Sequence, residues 1–233
     1  MPRQMDGNVK VRKRLGLITY NTPHLKTEQI LCNLLGKYDI KIYALPFVLR
    51  DKRRVCFRHR PDQSVAAHPR ELCEYYGLPF VPVQRDIEID DSRDIYLITG
   101  AGILSAEFVR GKRVINGHPG IIPAARGLDA FKWSIYNMLP LGVTLHYIDE
   151  NVDAGEVISV VETPVFASDS LESLARRHYE NEIKLLSEFE LYMRKPQNLF
   201  SQIPQGNPMR RMKYEQELEL SDKFALYKER YCR

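Results

Sequence analysis

The sequence predicts an α/β fold: a doubly wound, mostly parallel sheet with a helical extension at its C-terminal end. Three observations lead there. Short apolar, β-rich runs alternate with amphipathic stretches through most of the chain. Proline and glycine punctuate the switches between them, and 233 residues suit one α/β domain with small additions. In such sheets ligands sit at the carboxyl ends of the strands.

The elements follow in order. Leu15-Gly-Leu-Ile-Thr-Tyr20 reads as a strand, and Leu25 to Gly36 places Ile30, Leu31, Leu34 and Leu35 at helical spacing. Ile40 to Phe47 is a second strand, Pro69 to Gly77 a helix with Pro near its start and Gly at its end, and Ile95 to Thr99 a third strand. Val114 to Asn116 is another strand end, and Asp129 to Asn137 is helical. Gly142 to Ile148 and Glu156 to Val161 are extended runs around a turn containing Asp153-Ala-Gly155. Asp169, with Glu172 three residues on, resembles a capping box opening a long helix. Its Leu171, Leu174, Tyr179, Ile183 and Leu186 form the core-facing stripe. Lys195 to Asn207 reads as a surface connection rich in Pro, Gln and Asn. A last amphipathic helix around Glu215 to Tyr231 carries Leu218, Phe224 and Tyr227. The division is therefore a basic tail over residues 1–14, the main domain over 15–194, and a linker with a helix over 195–233.

Composition narrows the class further. Hydrophobic residues at 44% and charged residues at 27% fit a globular enzyme and exclude a disordered or collagen-like chain. A net charge of +4 is too small to imply nucleic-acid binding, though it suits an anionic small molecule. Cys32, Cys56, Cys73 and Cys232 form no C-x-x-C pair, so they read as reduced thiols with neither a zinc cluster nor a disulfide framework. Residues Met1 to Arg14 lack the apolar segment of a signal peptide, and no stretch reaches the roughly 18 apolar residues of a membrane span. The expectation is a cytoplasmic protein with neither membrane nor metal.

The chemistry concentrates in Val114-Ile-Asn-Gly-His-Pro-Gly-Ile-Ile-Pro-Ala-Ala-Arg-Gly127. Asn116 and His118 are two apart on an extended segment, so their side chains project to one face. Gly117 and Gly120 permit close backbone approach, while Pro119 and Pro123 stiffen the loop leaving the strand. An isolated Asn-x-His after a strand would be structural in most proteins. Here it opens an ordered series: Asn116 to Pro119, Ile122-Pro123, Arg126-Gly127, Gly142 to His146 and Val152 to Gly155.

That series resembles the folate-dependent formyltransferase superfamily, which includes glycinamide ribonucleotide formyltransferases, methionyl-tRNA formyltransferases and the sugar N-formyltransferases of bacterial surface polysaccharides. The resemblance is strongest from Ile95 to Val160. It implies a Rossmann-like formyltransferase fold, 10-formyltetrahydrofolate as formyl donor, and catalytic roles for Asn116, His118 and Asp153 without metal or protein nucleophile. Asn116 supplies an uncharged donor to the developing oxyanion, His118 a donor and proton shuttle, and Asp153 a carboxylate that holds the imidazolium and takes the amine proton. His146 braces the site, and His24, His59, His68 and His178 are surface or core residues.

The resemblance also locates the ligands. The pterin would lie against backbone groups of Gly100, Ala101, Gly102, Ile103 and Leu104 and of Asp149, Glu150, Asn151 and Val152. Where the glycinamide ribonucleotide enzymes carry a glycine-rich phosphate-binding turn, this chain has Tyr20-Asn-Thr-Pro-His24. Where methionyl-tRNA formyltransferases add a β domain, this chain has a connection and a helix. The stretch Phe131-Lys-Trp-Ser-Ile-Tyr-Asn137 looks most like sugar N-formyltransferases. The expected acceptor is a nucleotide-linked amino sugar, contacted by Arg126, Lys132 and Trp133, with Arg58 and Arg60 from the basic Arg50–Arg60 stretch meeting phosphates. The alternatives are formylation of phosphoribosylglycinamide and, more remotely, a non-catalytic folate- or sugar-binding protein. The apolar stripe after Met209 could dock on its own domain or build a homodimer.

Overall fold

The computed structural model of the chain describes residues 11–48, 54–150, 153–196 and 206–233. Strand β1 (Arg14–Tyr20) buries Leu15 and Leu17 on one face and Ile18 on the other, the two-sided burial that a parallel sheet requires. Helix α1 (Leu25–Leu34) returns over the first face, and β2 (Asp39–Leu45) pairs parallel to β1. Helix α2 (Pro69–Tyr76) begins with Pro69, is capped by His68 and Glu71, and closes at Gly77 in the left-handed region, φ 65°.

β3 (Phe80–Pro82), β4 (Ile95–Ile98), α3 (Ala106–Val109), β5 (Val114–His118) and α4 (Ala130–Tyr136) follow. The chain continues through β6 (Gly142–Tyr147), β7 (Val157–Glu162), α5 (Leu171–Ser187), α6 (Phe189–Arg194), α7 (Tyr214–Leu218) and α8 (Leu220–Tyr231).

Among the described residues, seven strands form one sheet in the order β3-β2-β1-β4-β5-β6-β7. The chain winds outward from β1 to β3 and then returns to lay β4 on the other side of β1, which creates a switch point between their carboxyl ends. The sheet is parallel as far as β5, while β6 and β7 pair antiparallel. Ile115, Val143 and Leu145 face α1, α5 and α6, packing with Leu31, Leu186 and Phe189. Val114 faces the opposite side with Tyr96, Ile98 and Phe108. Since side chains alternate along a strand, Asn116 and His118 share the face of Val114, and Gly117 faces α5. A Cβ at Gly117 would come within 2.9 Å of Leu186 Cγ, so glycine is what lets α5 lie this close to β5.

The extension belongs to the same body. Leu220, Phe224 and Tyr227 of α8 pack with Phe131 and Ile135 of α4 and Leu174 of α5 in a third core, so the apolar stripe of α8 is covered by its own chain. Among the described residues no helix is long and apolar enough to cross a membrane.

Three local expectations need correction. The cap of α5 is Ser170 exchanging bonds with Ser173, not Asp169 with Glu172; Asp169 instead accepts from Phe166 N and pairs with Arg177. Arg177 holds the Asp169 carboxyl down at about 2, outweighing the opposing effect of burial. Within the stripe of α5, Leu171 and Ile183 are only half-buried, while His178 and Glu182 are buried. The last helix breaks at Glu219 into α7 and α8, which leaves Leu218 exposed. Most of the Lys195–Asn207 connection, and Arg50, Lys52 and Arg53 of the basic stretch, lie outside the described residues.

Candidate active site

β5 places Asn116 and His118 side by side, and the antiparallel register sets His146 opposite Asn116 and Thr144 opposite His118. All four side chains therefore share one face. Asp153, from the connection between β6 and β7, completes the group: its Oδ2 is 3.4 Å from His118 Nδ1 and its Oδ1 is 3.8 Å from His146 Nε2. The structure thus brings together the three residues assigned catalytic roles from the sequence, with His146 beside them.

Hydrogen-bond bookkeeping fixes several orientations. A carbonyl can only accept, so His146 Nδ1 donates to Tyr147 O at 3.0 Å, leaving Nε2 to accept from Asn116 Nδ2 at 3.4 Å. One Asn116 N–H is thereby directed to His146 and the other is left for a ligand. Burial lowers the pKa of His146 to about 4, helped by the neighbouring His118 and opposed by Asp153. His146 is therefore neutral at pH 7, and its 3.8 Å approach to Asp153 is not a charge pair.

His118, 3% exposed, has a carbonyl on one side and a carboxylate on the other: Nε2 lies 2.6 Å from Ala125 O, and Nδ1 faces Asp153. The carbonyl can only accept, so Nε2 carries a proton toward Ala125 O, and Nδ1 is the ring nitrogen turned to the Asp153 carboxylate.

The loop after β5 is fixed at nearly every carbonyl. His178 Nε2 meets Pro119 O at 3.2 Å, Thr144 Oγ1 donates to Gly120 O at 2.7 Å, and Ala125 N donates to Ile121 O at 2.8 Å. Gly206 N donates to Pro123 O and Met209 N to Arg126 O, both at 2.9 Å. The loop then reaches back to the Asp153 carboxylate, because Gly127 N donates to Asp153 Oδ2 at 2.9 Å. Gly120 and Gly127 are required: a Cβ at Gly120 would strike Ala125 O, and Gly127, with φ 87°, lies against the backbone of Met209. The segment 206–212 is thus a strap across the site loop, continued by Met212 N to Asp129 and Trp133 Nε1 to Arg210 O.

Gly100 follows β4, and Tyr20 and His24 occupy the space a Cβ there would need. Gly102, Ile103 and Leu104 line a cavity of about 480 Å³ with Leu45, Arg85 and Ile87, and Gly102 is open around its Cα. The Leu104 side chain is buried in the core, whereas Ile103 is exposed. Ala101 and Asp149 are half-buried and Glu150 is exposed; Asn151 and Val152 lie outside the described residues.

Arg126 is half-buried in the site loop. Lys132, read as a substrate contact, is instead a buried cation whose Nζ sits 2.7 Å from Glu217 Oε1. Trp133 packs against the third core and bonds the strap. Arg60 pairs with buried Glu182, which also takes Lys26. Arg58 and Arg60 line a 670 Å³ cavity between α1 and α5 that no triad residue touches. The sequence reading missed Thr144 and His178 as loop-holding residues. Thr144 lies inside the Gly142–His146 motif, but nothing local marks His178.

Residues 95–189, from β4 to the first residue of α6, match the formyl transferase family model. The phosphoribosylglycinamide formyltransferase of Haemophilus influenzae is 29% identical over 113 residues, 43% of this chain and 53% of that protein, so the match spans about half the relative's length. A sugar N-formyltransferase from Shewanella has a similar fold over 90% of this chain and 87% of its own, with a TM-score of 0.58 and 17% identity. A phosphoribosylglycinamide formyltransferase from Anaplasma phagocytophilum covers 75% of this chain and 83% of its own at a TM-score of 0.54 and 22% identity. The matched segment coincides with the stretch that carries Asn116, His118 and Asp153, so the likeness to formyl transferases falls on the candidate site itself.

Proposed function

We propose that the protein transfers the formyl group of 10-formyltetrahydrofolate to the primary amine of a nucleotide-linked amino sugar. The observation that carries the transfer is the convergence of Asn116, His118 and Asp153 inside the family segment. The donor supplies an activated formyl carbon. Gly102, with open space around it, and the neighbouring cavity of about 480 Å³ suit a flat heterocycle bound through backbone groups.

The residues then divide the work. Asn116 directs its remaining N–H at the formyl oxygen as the amine's C–N bond forms and that oxygen takes on charge. Asp153 accepts the proton released by the amine, directly or through a water. His118 passes a proton to the donor nitrogen as its bond to the formyl carbon breaks, so the proton count closes across the His118–Asp153 pair.

Two observations favour the sugar acceptor. The fold likeness to the Shewanella sugar N-formyltransferase extends over nine-tenths of this chain. The turn after β1 is also poor in free amides: Pro23 has none, and Asn21 N is bonded to Leu45 O at 2.7 Å. Phosphoribosylglycinamide is the second reading, supported by the sequence relatives that carry that name.

Incubation with 10-formyltetrahydrofolate and, separately, phosphoribosylglycinamide or a panel of dTDP- and GDP-linked amino sugars tests both. Formylation of a sugar is the expected result. Turnover of the ribonucleotide alone replaces the acceptor, and inactivity on every amine removes the enzyme reading.

A further inference from the structure

We propose that His178, on α5, is a positioning residue for His118. This rests on the formyl-transfer reading of the site. A buried histidine on a core helix is ordinarily packing, and burial does hold its ring neutral, with a pKa near 4. Its partners indicate more.

Nε2 faces Pro119 O at 3.2 Å, so it must carry the proton, and Nδ1 must then accept from Thr163 Oγ1 at 2.9 Å. Thr163 Oγ1 in turn accepts from Asn181 Nδ2 at 3.1 Å. The chain of donors runs one way, from Asn181 through Thr163 and His178 to the carbonyl immediately after His118. Phe131, with its ring centroid 5.2 Å from that of His178, closes one side.

The geometry gives this bond leverage. The Pro119 carbonyl belongs to the peptide that enters Gly120, where there is no slack: a Cβ there would stand 2.9 Å from His118 Nε2. A shift of that peptide changes the approach of His118 Nε2 to Ala125 O, and with it the direction in which Nδ1 meets Asp153. His178 touches neither the reacting atoms nor the triad side chains; it fixes the backbone that aims one of them.

The test compares His178→Phe, which keeps the ring volume but removes both nitrogens, with His178→Gln, whose amide nitrogen can reach the same carbonyl. Turnover, both KM values and the ring resonances of His118 across a pH titration are measured on each folded protein. In His178→Phe, kcat should fall about tenfold with KM for donor and acceptor within about twofold, and the His118 titration should move. His178→Gln should recover most of kcat.

If His178→Phe does not fold, Thr163→Val, which removes the hydroxyl that orients the ring, should give a smaller loss of the same kind. A variant that merely melts earlier, with kcat per folded molecule and the His118 resonances unchanged, overturns the proposal. If the wild-type protein formylates nothing, the functional reading fails by itself, while the His118 resonances still decide whether His178 positions the ring.

Discussion

Glu217→Gln should be among the most damaging single changes outside the triad. Glu217 Oε1 takes the Lys132 ammonium at 2.7 Å and Oε2 takes Cys56 N at 2.6 Å, with the paired side chains only 2% and 0% exposed. One carboxylate therefore ties α7 to α4 and to the segment entering residue 57. Glutamine can keep an acceptor for Cys56, but the buried ammonium then faces an uncharged group. Removing one partner of a buried ion pair costs about 3 to 5 kcal/mol; the retained bond argues for the lower end, about 3 kcal/mol. For a domain of this size that is a drop in Tm of roughly 6–12 °C. Thermal unfolding followed by circular dichroism measures it. The double variant Lys132→Met with Glu217→Gln removes the stranded charge and should recover most of the loss. A single variant melting within about 2 °C of wild type, or a double variant that loses the sum of both singles, refutes the reasoning.

Asn116→Ala should lower kcat by about 10² to 10³ with a smaller effect on binding, and steady-state kinetics on the folded variant checks it. Asp153→Asn and His118→Ala should each cost at least as much, but their double variant should lose far less than the product; simple multiplication of the losses would break the shared-proton assignment. Gly127→Ala forces a Cβ onto the Met209 backbone in a left-handed conformation, so turnover should fall at least about tenfold and hydrogen exchange at the Leu128 amide should accelerate. Burial holds His24, His146 and His178 at pKa values of about 4, below the unfolded value near 6.5. The unfolded chain therefore binds more protons between those values, and stability falls as pH drops from about 6.5 to 4. A Tm that stays flat between pH 7 and 4.5 contradicts this.

The strand-helix alternation was legible because β1, β2, β4 and β5 are buried on both faces and the longer helices between them carry apolar stripes. Leu15 to Tyr20 and Ile95 to Ile98 show it most plainly. Asn116 and His118 were legible for a related reason: a two-residue offset on extended chain puts them on one face whatever the rest of the fold does. β3 was not, since Phe80–Pro82 is three residues long and ends in proline, too short for any periodicity. The roles of Lys132, Trp133 and Arg60 were unreadable because a charge or an indole looks the same in sequence whether it meets a ligand or Glu217, Arg210 O and Glu182. His178 was hidden for the same reason: its partner, Pro119 O, is a backbone carbonyl 59 residues away.

The position of Asp153 is the least obvious consequence of the topology. Because β6 runs antiparallel to β5, its end at Tyr147 pairs with Ile115, and Ile148 N bonds Val114 O, at the opposite end of β5 from His118. A connection that simply continued would leave the carboxylate far from the imidazole. Residues 153–156 instead lie back along β6: Tyr147 N donates to Glu156 O, and Asp153 Oδ1 comes within 3.8 Å of His146 Nε2. Gly155 lies so close to Tyr147 O that no Cβ fits, and Asp153 adopts φ 45°, a left-handed conformation that aspartate tolerates better than most residues. The carboxylate's place is thus set by the backbone of residues 153–156 and by the Gly127 amide, while the asparagine and histidine are set by the sheet. The strap at Met209 holds Gly127 in turn, so residues 206–212 reach the His118–Asp153 pair through the Gly127 amide.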